Sequence, residues 1–268
     1  MEEIKNDQNL NIENEEDIDL NIEVPNIPDY VIEIKDLYKS YGKKEVLKGL
    51  DLKVKKGEVF GYIGKNGIGK STTIDCIVGL KDYDSGEILV LGKDVKTQSL
   101  EVKEQIGYVP SEPVTYESMT GNEYLQFIGS SYGMIQSSFN KNYNFLLKKF
   151  GMNVIDMNRK IKEYSHGMKQ KICLMASLIH NPKVWILDEP TVGLDAMAYE
   201  SLISVIQDFV KNGRTVLITS HNLDMVGKLC NRVAIINEGV VARLVDLDRD
   251  SYFRTKLNKV FFAVYGGE

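Results

Sequence analysis

GYIGKNGIGKST occupies Gly61 to Thr72. Glycines recur at Gly61, Gly64, Gly67 and Gly69, and Lys70, Ser71 and Thr72 follow. Gly64 to Ser71 fits the spacing G-x-x-x-x-G-K-[ST]. Glycines let such a loop fold tightly and aim consecutive N–H groups at phosphate oxygens. A helix opening at its end adds a positive N-terminal pole. Lys70 suits the β and γ phosphates, and Ser71 offers a hydroxyl to Mg²⁺. The flanks supply the context such a loop needs. EVFGYIG reads as a short apolar strand that enters the loop. KSTTIDCIVGL reads as a helix, with Ile74, Ile77, Val78 and Leu80 apolar.

Working outward, VIEIKDLYKSYG and VLKGLDLKVKKG alternate as strands do, and GEILVLG and QIGYVP are further short strands. After Pro110 the texture turns helical. Thr120 and Glu123 have capping-box spacing and open TGNEYLQFIGSSYG. YNFLLKKFG and SHGMKQKICLMASLIHNP continue the helices to Pro182. KVWILDEP and TVLITSH read as buried strands around the helix AMAYESLISVIQDFVKNG, and RVAIINEGVVARL as a hairpin turning at Glu238-Gly239. Alternating strands and helices predict an α/β fold, a phosphate-loop core whose mainly parallel sheet is flanked by helices. An N-terminal antiparallel β part and an inserted helical subdomain complete the expected architecture. The expected division is an acidic disordered tail over 1–29, one large domain over 30–247 with the helical subdomain at about 111–182, and a short extension over 248–268. That extension, ending in KVFFAVYGGE, reads as a strand and a glycine turn. No internal repeat is visible.

The 268 residues carry a net charge of −5, unevenly spread. Residues 1–30 hold ten acids and one lysine, so residues 31–268 hold a net +4. A nearly balanced folded part makes no case for nucleic-acid binding. The acidic N-terminus is no secretory signal, and no apolar run approaches the roughly 20 residues that span a bilayer. Cys76, Cys173 and Cys230 are sparse and form no CxxC, which predicts free, buried thiols in a reducing compartment.

VWILDEP supplies the partners a phosphate loop needs. Asp188 at the strand end suits the metal, and Glu189 suits polarisation of an attacking water. A third element, YSHGMKQK at Tyr164 to Lys171, begins a helix, and its Ser165 lies 23 residues before Asp188. With these three motifs in order, the sequence resembles the ATP-binding subunits of ABC transporters, from about Val31 to about Arg243.

The resemblance implies ATP and Mg²⁺ as ligands and ATP hydrolysis as the reaction. It implies Tyr41 stacking on adenine, and Gly64, Lys65, Asn66, Gly67, Ile68, Gly69, Lys70, Ser71 and Thr72 holding the triphosphate. Ser71 and Asp188 would serve the metal. Glu189, His221 and Lys70 would be catalytic, with His221 sensing the γ-phosphate. Ser165 and Gly167 would bind the ATP of a second subunit, and Asp195 would contact that subunit. Two copies would then close on ATP head to tail, a homodimer being the simpler form. The resemblance also implies a polytopic membrane permease on a separate chain, export as the direction, no nucleic-acid partner, and a place at the cytoplasmic face of the membrane.

The pattern departs from the family at three places. Ser111 stands where most members have glutamine, with Glu112 beside it as a possible substitute. His166 replaces a glycine in the signature. The ends differ, with an extra acidic tail and a short C-terminus. His180, before Asn181-Pro182, reads as structural, in a place where a helix end favours positive charge. A second reading keeps the same ATP core in a single-cassette ATPase acting on a nucleic-acid or ribosome partner. A third is a switch that binds ATP and seldom hydrolyses it. Ser71 and Ser165 are only 94 residues apart, with no heptads between them, unlike chromosome-maintenance members with an inserted coiled coil.

Overall fold

The computed structural model describes residues 29–249 and 251–266. The tail expected to be disordered lies, up to residue 28, outside the described residues. The chain opens with β1 (Tyr30–Tyr41), β2 (Lys44–Lys55), β3 (Val59–Ile63), α1 (Lys70–Ile77), β4 (Ser85–Val90), β5 (Lys93–Asp94), α2 (Ser99–Lys103) and β6 (Ile106–Val109). Helices follow: α3 (Gly121–Ser131), α4 (Gln136–Phe150), α5 (Val154–Met157) and α6 (His166–Leu178). The last part holds β7 (Val184–Asp188), α7 (Ala196–Lys211), β8 (Thr215–Thr219), α8 (Leu223–Leu229), β9 (Arg232–Asn237), β10 (Val240–Asp246) and α9 (Ser251–Val264).

Two sheets form. The order β2-β1-β4-β5 is antiparallel, and the order β10-β9-β3-β8-β7-β6 is parallel except for the β9–β10 hairpin. The central strands β3, β7 and β8 are buried along their whole length and mostly apolar because both of their faces are covered. In β7, Val184 and Ile186 point into the core shared with the antiparallel sheet. Trp185 and Leu187 point into the core under the helices. Phe60 and Tyr62 of β3 likewise join the first core, and Val59 and Ile63 the second. Each such fully buried apolar side chain contributes roughly 1.5–3 kcal/mol. The Trp185 indole N–H donates to Ser177 Oγ at 2.9 Å, so its burial leaves no orphaned donor. The parallel strands all end on one side, and the chain leaving β3, β7 and β8 converges there. Open α/β sheets bind ligands at that carboxyl edge.

The expected mixed α/β architecture is present, and the Thr120–Glu123 capping box forms with both reciprocal hydrogen bonds. Cys76, Cys173 and Cys230 are buried and unpaired. Two expectations need correction. KVFFAV is part of α9, a helix kinked at Lys256, and not a strand. Leu257 and Val260 are buried, and Phe261 and Val264 half-buried, which is the i, i+3, i+4, i+7 stripe of a helix packed on one side. Tertiary burial of that stripe outweighs the strand propensity of Val and Phe. His180 is structural but not cationic. It stacks on Tyr132 at 3.7 Å, bonds Ile106 O through Nε2 at 3.1 Å, and burial pushes its pKa down to about 4. Desolvation there exceeds any help from the end of α6.

Candidate functional site

The site begins at the carboxyl end of β3. α1 opens at Gly69, whose φ of 118° suits glycine and which brings no capping side chain. The first-turn N–H groups of α1 have no intrahelical acceptors, as in any helix. A side chain fills that role at several other helices: Thr120 caps α3, Ser165 caps α6, Asp195 caps α7 and Asn222 caps α8, whereas α2 and α4 also open without one. At α1 the uncapped end opens into a cleft, and the helix dipole there favours an anion.

A cleft of about 310 Å³ sits over this helix end, lined by Asn66, Gly67, Gly69, Lys70, Ser71, Thr72, Ser111, Asp188 and Glu189. Three separate stretches of chain therefore meet there. Lys70 is buried, and its ammonium donates to Gly64 O at 2.8 Å and Lys65 O at 3.3 Å. Burial lowers the Lys70 pKa, against the upward pull of Glu189 and Asp188. Gly64, Lys65 and Ile68 do not line the cleft. Gly64 contributes its carbonyl to Lys70, the Lys65 N–H points to Tyr265 Oη at 3.1 Å, and Ile68 packs against the inter-sheet core.

Asp188 is 2% exposed and is oriented by Thr219 in the parallel β7–β8 register. The Thr219 hydroxyl donates to Asp188 Oδ1 at 2.5 Å and accepts from the Glu189 N–H at 3.0 Å. One hydroxyl thus ties both acids together, and the motifs did not single it out. Its available signal was a threonine at the end of an apolar strand, two residues before His221. Glu189 holds a positive φ of 51°, uncommon for a non-glycine and shared in this chain by Asp36, Leu91, Asn181 and Glu238 among the described residues. His221 bonds Glu189 Oε2 twice, through its backbone N–H at 3.2 Å and through Nδ1 at 2.8 Å. Its side chain is otherwise 69% exposed.

Ser71 and Asp188 present a hydroxyl and a carboxylate to one cleft. These are hard oxygen donors of the kind Mg²⁺ takes together with phosphate oxygens. Among the described residues no cluster of three or more His, Cys, Asp or Glu could hold a metal alone. The donor set therefore fits a metal that arrives with a phosphate ligand.

The remaining expected residues lie outside the cleft. Tyr41 is half-exposed at the end of β1, with the Lys39 and Lys81 ammoniums 5.3 and 5.6 Å from its ring centre. Ser165 is exposed and caps α6, accepting from Met168 N–H at 3.3 Å. Gly167 packs so closely on the backbone after β7 that a Cβ there would meet Gly193 O at 3.0 Å. His166 lies over Gly193, and Gln170 donates to Pro190 O at 3.1 Å. Asp195 caps α7 by accepting from Ala198 N–H at 2.8 Å. Ser111 lines the cleft, whereas Glu112 is exposed and does not.

Residues 47–192, more than half of the chain, match the family described as ABC transporter. The chain belongs to this family. It is 38% identical over 209 residues to the linearmycin resistance ATP-binding protein LnrL of Bacillus subtilis, covering 78% of this chain and 67% of that one. It is 35% identical to the lantibiotic transport ATP-binding protein SrtF of Streptococcus pyogenes, covering 79% and 89%. Among solved structures, an ATP-binding subunit of an ABC transporter superposes with a TM-score of 0.82 at 29% identity, over 88% of this chain and 99% of that one. The protein is an ABC ATPase and an ATP-binding protein. Among the described residues no helix is long and apolar enough to cross a membrane.

Proposed function

We propose that this ABC ATPase works as a pair, closing head to tail on two ATP molecules to drive a polytopic permease carried on a separate chain. The observation that carries the proposal is the separation of its motifs. Lys70, Ser71, Asp188 and Glu189 share one cleft, while Ser165 and Gly167 begin α6 outside it. A second copy in a two-fold arrangement would bring its own α6 to this cleft and receive the same in return. The apolar surface beside Asp195 supports an interface there, since Met197 is 83% exposed and Val192 is also exposed.

In this reading Tyr41 stacks on adenine, and Asn66, Gly67 and Gly69 to Thr72 hold the triphosphate with Lys70 on its terminal phosphates, while Gly64, Lys65 and Ile68 support the loop from outside the cleft. Ser71 and Asp188 hold Mg²⁺, which when bound offsets phosphate charge. Glu189 takes the proton of the attacking water, and His221 keeps that carboxylate aimed while facing the γ-phosphate. Thr219 holds Asp188 and Glu189 in register. Residues 30–247 form the ATPase domain, and the helices at about 111–182 receive a cytoplasmic helix of the permease. Val114, Tyr116 and Phe127 are exposed there, and Tyr116 meets Phe127 edge-on at 5.5 Å. The names of LnrL and SrtF favour an exporter of an antibiotic or a peptide, at the cytoplasmic face of the membrane.

The test is affinity capture of tagged Glu189→Gln protein from detergent-solubilised cells with ATP present. Recovery of a polytopic membrane chain is expected. Ribosomes or DNA-bound proteins without a membrane chain would move the protein to the nucleic-acid or ribosome class.

A further inference from the structure

The C-terminal end of the described chain touches the phosphate loop. Tyr265 follows α9, and its hydroxyl accepts from the Lys65 N–H at 3.1 Å and donates to Ile236 O at the end of β9. The Lys65 ammonium lies 4.4 Å from the centre of the Tyr265 ring. The ring is set in turn by Phe261 at 5.0 Å, and Asn237 Nδ2 donates to Val264 O at 3.4 Å. Burial raises the Tyr265 pKa, so its O–H stays protonated and can donate. α9 is itself anchored to α8 through Arg254, which donates to Gly227 O at 3.1 Å.

The Lys65 N–H and the Gly64 carbonyl belong to one peptide unit. In a trans peptide they point in opposite directions. Tyr265 takes the N–H on the outer side, and the carbonyl accepts from Lys70 Nζ at 2.8 Å on the inner side. Fixing one end of the plane aims the other. We infer that Tyr265 is a positioning residue for ATP binding, holding the Gly64–Lys65 peptide so that its carbonyl sets the Lys70 ammonium under the terminal phosphates. The C-terminal helix is thereby a structural part of the nucleotide site. The inference rests on the proposed role of Lys70.

The test compares full-length wild type, Tyr265→Phe, Tyr265→Ala and Lys70→Ala in steady-state Mg-ATP turnover and in thermal denaturation without nucleotide. Tyr265→Phe keeps the ring and loses only the two hydroxyl bonds. Its KM for ATP should rise about 2- to 10-fold, the loss expected of the one hydrogen bond that holds the Lys65 N–H, with kcat within about twofold and the melting temperature nearly unchanged. Tyr265→Ala should raise KM at least as much and also lower the melting temperature. An unchanged or lower KM in Tyr265→Phe overturns the inference, whatever its melting temperature. If Lys70→Ala instead keeps wild-type KM and kcat, the reading of Lys70 fails, and the inference about Tyr265 fails with it.

Discussion

α1 and α6 both begin at motif residues, yet they are built for opposite tasks. α1 starts at a glycine that offers no cap and opens beneath a cleft with Lys70, Asp188 and Glu189 around it. α6 starts at Ser165, which caps its own helix and faces outward. The first end is surrounded by groups that can act on a phosphate. The second brings no acid, base or lysine to that cleft. Under the proposed pairing, the first end is one half of a shared site and the second end is the other half. The contrast then means that one copy of this ATPase would carry both halves, but not in one place.

Substitutions on the two sides should therefore fail differently. The largest effect is expected at Glu189→Gln, which removes the base while keeping the size of the side chain. Turnover should fall by about 10²- to 10⁴-fold with ATP still bound, measured by phosphate release and nucleotide titration. Gly167→Asp should come next. It forces a side chain against Gly193 O and adds negative charge at the helix end that the proposed pairing sets against the second copy's ATP. Turnover should drop about 100-fold, in line with loss of one electrostatic contact to the reacting group, while binding of ATP to the single subunit is unchanged. If Gly167→Asp abolishes ATP binding itself, the two halves are one site and the contrast breaks.

Thr219→Val sharpens the α1 side. It keeps the shape and deletes the hydroxyl that orients Asp188 and the Glu189 backbone. An approximately 10-fold fall in kcat with little change in KM is expected, since orientation rather than binding is lost. The smallest effect on turnover belongs to His180, remote from both ends. Its folded pKa of about 4 lies below its ordinary 6.5, so the unfolded chain binds the extra proton between these values. This contribution to stability is full above pH 6.5 and is lost as pH falls toward 4, by up to about 3 kcal/mol. Denaturant unfolding of His180→Gln should show a shallower loss of stability than wild type across that window, with turnover at neutral pH unchanged.

Much of this was legible in the chain. The strand–glycine–helix order at Gly61, the unbroken apolar run of β7 and the capping box at Thr120 each announce themselves locally, because periodicity and turn chemistry act over a few residues. Thr219 became visible only through the β7–β8 register, which sets it beside Asp188, 31 residues away in sequence. Tyr265 meets Lys65 across 200 residues, and nothing local marks it. α9 was misread because its aromatic run favours a strand by propensity. Its Leu257, Val260, Phe261 and Val264 spacing carried the helical signal instead. α2 and α8 escaped notice for a different reason. They span five and seven residues, too short for a periodic pattern to stand out.

The most direct measurement is the mass of purified Glu189→Gln protein by light scattering, with and without Mg-ATP, beside the Glu189→Gln/Gly167→Asp double variant. Two half-sites predict about twice the monomer mass only with ATP, and a monomer in the double variant even when ATP is bound. An ATP-saturated Glu189→Gln protein that stays monomeric, or a double variant that pairs as well as the single one, would contradict the shared site.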